Sequence, residues 1–133
     1  MVGRDRALQL LHRVLALVPA DQAEATLLVQ DHALTRFANN SIHQNVARED
    51  ARLAVRAVVD GRVGAAVTNV LDEEGQRRVA EQAAAIARLQ EPAPDFPGLP
   101  AGRPVEEATT FYEATAEMTA VQRLRMAISM ARI

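Results

Sequence analysis

The chain has 133 residues, enough for one domain with a single core and too few for two. Apolar residues make up 49% and charged residues 24%, which excludes a disordered or fibrous chain, and a formal net charge of -2 leaves no global basic field to draw in nucleic acid or anionic lipid. With no Cys, disulfides, thiolate nucleophiles and thiolate metal ligands are removed together, and the expected location is cytoplasmic.

Residues 4–18 place Leu8, Leu11, Leu15 and Val18 at helical spacing, with Leu10, Val14 and Leu17 widening the stripe, and Pro19 ends the helix. This run is broken by Gln9, His12 and Arg13 and is too short to cross a bilayer, so neither a membrane span nor a signal peptide is expected. Leu27, Leu28 and Val29 mark residues 25–30 as a buried strand, and Asp31-His32 is expected to turn the chain into a second strand over 33–38. Asn39, Asn40 and Ser41 then form a turn, because Asn accepts left-handed angles and bonds its own backbone. Beyond it, residues 42–46 read as a strand with Ile42, Gln44 and Val46 on one face and His43 and Asn45 on the other.

After an expected charged corner at Arg48-Glu49-Asp50, Leu53, Val55, Ala57 and Val59 alternate with Arg52, Ala54, Arg56 and Val58, giving a strand with one core face. Asp60-Gly61 is the strongest hairpin signal in the chain. In the return strand, Gly64, Ala66 and Thr68 make one side nearly flat, which permits close approach of a helix or another backbone. Asp72 caps a second helix whose apolar face is Val79, Ala83, Ile86 and Ala87; Gly75 weakens its first turn and Pro92 closes it. Residues 91–105 hold Pro92, Pro94, Pro97, Pro100 and Pro104 and read as a stiff surface spacer, pinned by Phe96 and Leu99. Phe111-Tyr112 adds a short strand or anchors to the core. Thr119 and Gln122 form a capping box opening a last helix, lined by Val121, Leu124 and Ile128, that meets no stop signal before Ile133. The pattern predicts an α+β domain: an antiparallel sheet of about four to six strands with helices packed on one face.

Thr35-Arg36-Phe37-Ala38-Asn39-Asn40, Ile42-His43-Gln44-Asn45, Val55-Arg56, Asp60-Gly61-Arg62-Val63-Gly64 and Thr68-Asn69, in that order, resemble the amino-terminal domain of the TldD/PmbA proteins. That family comprises predicted zinc metallopeptidases, also labelled proposed modulators of DNA gyrase. The resemblance extends through 94–100 and Tyr112-Glu113-Ala114-Thr115 and so covers nearly the whole chain. It divides the sequence into an α+β amino-terminal domain at 1–90, a Pro-rich linker at 91–105 and a strand/helix segment at 106–133 leading toward a carboxy-terminal domain. Family members are several times longer, which, with the open-ended last helix, implies an excised piece.

The family's zinc signature resembles His-Glu-x-x-x-His on a helix. Here His12, His32 and His43 are not followed by Glu, and a zinc site wants about three protein ligands and an open position. Ser41 and Ser129 are the candidate nucleophiles; Ser41 is better explained by turn chemistry, and no acid is evident to orient His43. No catalytic residue and no metal ligand is therefore expected in this chain, which is predicted inactive alone. Zinc is implied for the full-length protein or its partner subunit.

What remains is a polar ridge of Arg36, Asn39, Asn40, His43 and Asn45, which is either a plain solvated hairpin face or the border of a peptide-binding space. The resemblance implies a homodimer or heterodimer with another TldD/PmbA subunit and a peptide substrate. The wording around Asn39 and Asn45 is closer to PmbA-like members, which lack the zinc motif. An assembly module without peptidase activity is the first rival reading. Gyrase or nucleic-acid binding is the second: Arg48, Arg52, Arg56 and Arg62 would have to cluster, yet Glu49, Asp50 and Asp60 interleave with them.

Overall fold

The computed structural model describes residues 3–39, 41–104, 106 and 108–131. The elements are α1 (Arg4–Leu17), β1 (Gln22–Ala38), β2 (Ser41–Val59), β3 (Arg62–Thr68), α2 (Glu73–Leu89), α3 (Glu113–Ala116) and α4 (Ala120–Ala131). The strands form an antiparallel sheet in the order β1-β2-β3, and the α+β class is as expected. Contacts group into two compact units, Met1–Gln30 with Asp50–Gly102 and Asp31–Glu49 with Arg103–Ile133.

The sheet has three strands, one fewer than the lower bound expected, because two anticipated turns are strand interior. Asp31-His32 lies within β1 and Arg48-Glu49-Asp50 within β2. Neither stretch takes a left-handed angle; among the described non-Gly residues, positive φ occurs only at Asn39 (51°) and Asp60 (49°). Polar side chains in a long exposed ribbon mimic turn composition without breaking the strand. Phe111 and Tyr112 also depart from expectation: they are 70% and 67% exposed, and Tyr112 precedes α3 as its N-cap.

In the first unit, Asp60 and Gly61 (φ 70°) both take left-handed angles, giving a two-residue turn that sets Val59 opposite Arg62. The register then pairs Val55 with Ala66 and Ala57 with Gly64 on the side where Leu53, Val55 and Ala57 are buried. α2 packs on β3 and delivers Val79, Ala80, Ala83 and Ala84 to the same core. The small side chains let the helix approach closely: a Cβ placed on Gly64 would lie 2.2 Å from the backbone N of Ala87. Ile86, expected on that face, is instead 37% exposed. α1 packs on α2 through Val14, which is fully buried, with Leu10 and Leu11 beside it, while Leu8 points outward. The apolar stripe of α1 is thus rotated toward Val14.

The opposite sheet face carries Ala54, Arg56 and Val58 paired with Val67, Ala65 and Val63, and Arg56 bridges to Glu24 of β1. The Pro-rich segment is tied to this unit as the sequence suggests. Ala93 donates its amide to the Gly61 carbonyl at 3.1 Å, and Leu99 donates to Gln22 Oε1 at 2.7 Å.

Asp72 caps α2 by accepting the Gly75 amide at 2.8 Å. Asp72→Ala is expected to lower stability by about 1 kcal/mol in urea denaturation, the usual worth of such a cap. Gly75→Ala pits two effects against each other. Ala would gain about 1 kcal/mol of helix propensity, but its Cβ would sit 2.2 Å from the Val70 carbonyl oxygen. Overpacking against backbone costs about 1–3 kcal/mol, so the same denaturation experiment is expected to show net loss.

In the second unit, α4 opens with the expected capping box. The Thr119 amide donates to Gln122 Oε1 at 2.7 Å, and the Gln122 amide donates back to Thr119 Oγ1 at 3.3 Å. Among the described side chains of this helix Ala127 is buried, while Val121, Met126, Ile128 and Met130 are exposed.

Candidate functional site

The candidate site is the ribbon of the second unit, formed by the distal part of β1 and the start of β2. Asn39 supplies the left-handed residue at its tip, and Ser41 is already the first residue of β2. Asn40 lies outside the described residues. Arg36, Asn39, His43 and Asn45 are all exposed. Arg36 and His43 have no hydrogen-bond or ion-pair partner among the described residues.

Asn45 is different, because it ends a three-residue relay. Thr35 Oγ1 bonds to Asn45 Oδ1 at 2.9 Å, and Arg123 of α4 donates through Nε to Thr35 Oγ1 at 3.2 Å. Arg123 also donates to the Met118 carbonyl at 2.7 Å, which fixes the guanidinium against the turn preceding α4. The Thr35–Asn45 bond puts these two side chains on one face of the ribbon. Strand alternation adds His43 to that face and sets Arg36 on the other. Nothing in the sequence alone marks Thr35 and Arg123 as members of this cluster. Thr35 is visible as part of a motif, but Arg123 lies 88 positions away and no local pattern links it to a strand hydroxyl.

The residues here do not fit a zinc centre. His12 is on α1, His32 and His43 are on different strands, all three are exposed, and among the described residues no three His, Asp or Glu side chains come together. The Ser129 hydroxyl donates to the Met126 carbonyl of its own helix at 2.8 Å. Three of the four arginines that a nucleic-acid surface would have to cluster face carboxylates: Arg52 faces Asp50 at 3.6 Å, Arg62 faces Asp60 at 3.7 Å, and Arg56 faces Glu24. Such a surface gives little net field for a phosphate backbone. No helix among the described residues is long and apolar enough to cross a membrane.

With this geometry in view, the model of the PmbA/TldA metallopeptidase domain 1 matches residues 23–87. No curated protein matches the chain. Among solved structures, TldE from Thermococcus kodakarensis superposes with a TM-score of 0.74 at 20% identity, covering 92% of this chain and 28% of that one. A proposed modulator of DNA gyrase from Bacteroides thetaiotaomicron gives 0.72 at 17% identity over 99% of this chain and 31% of that one. Another from Thermotoga maritima gives 0.70 at 18%, over 91% and 27%. These likenesses share the fold, and the chain spans less than a third of each solved chain. The matched stretch, which holds nearly all of the sheet and most of α2, is a first domain of the TldD/PmbA family.

Proposed function

We propose that this chain is the non-catalytic amino-terminal domain of a TldD/PmbA-type metallopeptidase, and that its ribbon borders the peptide-binding space and contributes to dimer assembly. The observation that carries this reading is the ribbon itself. It is a pair of long hydrogen-bonded strands, the first an edge of the sheet, with Arg36 and His43 exposed and without a bonding partner among the described residues. An edge strand offers main-chain donors and acceptors to an extended peptide, and side chains without internal partners are available to it. In this reading the hydrolytic groups, zinc included, belong to other parts of the protein or to its partner subunit.

The test is peptide hydrolysis by the full-length protein assembled with its partner subunit. Because neither side chain supports the fold, Arg36→Ala combined with His43→Ala is expected to slow hydrolysis about tenfold, the worth of one or two lost hydrogen bonds, with an unchanged melting curve. Unchanged hydrolysis, together with loss of dimerisation when the domain is deleted, would instead support the assembly reading. The exposed apolar residues of α4 favour that alternative. Gyrase modulation is a description carried by two of the solved relatives; here Arg52, Arg56 and Arg62, which a nucleic-acid surface would need, face carboxylates.

A further inference from the structure

We infer that the Arg123–Thr35–Asn45 relay is a receptor for a carboxylate group. A guanidinium only donates, so Thr35 Oγ1 must accept from Arg123, which leaves the hydroxyl proton free for Asn45 Oδ1. That bond in turn fixes the Asn45 amide: its oxygen is taken inward by Thr35, and its two N–H donors face away.

Arg123 uses Nε on Thr35 and one N–H on the Met118 carbonyl, so three of its five donors remain unspent. It is half-buried and has no carboxylate partner among the described residues. The unspent hydrogen-bonding groups on the side chains of Arg123 and Asn45 that flank this one hydroxyl are therefore N–H donors, and they carry one positive charge. The complementary ligand is an anionic planar acceptor, and a carboxylate fits both the fork of Arg and the amide of Asn. On the peptide reading of this ribbon, on which the inference rests only for what carries the group, it is the carboxy-terminal or acidic side-chain carboxylate of the peptide.

The experiment is an NMR titration of the full chain with three probes: an acetylated tetrapeptide with a free carboxy terminus, the same peptide amidated, and sodium acetate. The acid peptide is expected to shift the Asn45 side-chain amide and Arg123 Nε signals and to bind about tenfold more tightly than the amide, as a charge-assisted bond implies. Asn45→Asp, which replaces the donors by a negative charge, and Arg123→Gln are each expected to erase that preference. Thr35→Val, which frees the amide to rotate, is expected to weaken it while leaving the guanidinium in place.

Equal binding of acid and amide peptides at the ribbon would overturn the carboxylate receptor and leave the peptide reading standing. Acetate shifting both signals while neither peptide binds would support the receptor and count against the peptide. No shift with any probe would overturn the receptor.

Discussion

Gly64→Ala is expected to be the most damaging single-methyl change in the chain. The added Cβ would lie 2.2 Å from the Ala87 amide nitrogen, 2.4 Å from the Ala83 carbonyl oxygen and 2.8 Å from the Ala87 Cα. All three are backbone atoms of α2, so no side chain can swing aside; the whole helix must back away from β3. Moving it opens the layer in which Val79, Ala80, Ala83 and Ala84 are fully buried. Overpacking alone costs about 1–3 kcal/mol, and separating two backbones adds to that, so a loss of about 3 kcal/mol or more is expected from urea midpoints. Ala65→Val, at the neighbouring position on the exposed sheet face, is the control and should move the midpoint little.

The second large effect is expected at Leu53, the largest side chain buried completely in the core. Leu53→Ala removes buried apolar atoms and leaves a cavity in the core. Its core neighbours include Val14, Val55 and Val79, which are fixed on three different elements and cannot collapse into the space together. Such replacements cost about 2–5 kcal/mol, and the upper half of that range is expected here. By contrast, Val67→Ala, at a side chain 57% exposed on the other face, should cost less than about 0.5 kcal/mol. If the two mutants lost equal stability, the assignment of sheet faces would be wrong.

Much of this arrangement was legible in the residues. The alternation from Leu53 to Val59, the Asp60-Gly61 turn and the flat Gly64-Ala66-Thr68 side together specify a hairpin with a helix lying on it, and the register agrees. Asp72 and the Thr119–Gln122 box were readable because capping is local chemistry. The long strands were not. Polar stretches at Asp31-His32 and Arg48-Glu49-Asp50 carry turn-like composition, and only the pairing of the two strands shows that they stay extended. The rotation of α1 about Val14 was also hidden, since its stripe is wide enough for several faces to serve. At the candidate site, the ridge residues could be singled out as polar groups no core needs. The relay through Arg123 could not, because it joins a strand to a helix that the sequence leaves far apart.

On the proposed function, the ribbon at 31–49 is the part of this domain that meets a peptide. Hydrogen exchange of the full-length protein, followed with and without saturating peptide, tests that claim most directly. Pairing along the free edge of β1 should slow exchange of the alternate amides in 31–38 that face away from β2 by about tenfold or more, since each of these gains a main-chain bond. Unaltered exchange in that strand, with protection appearing only in other parts of the protein, would contradict it.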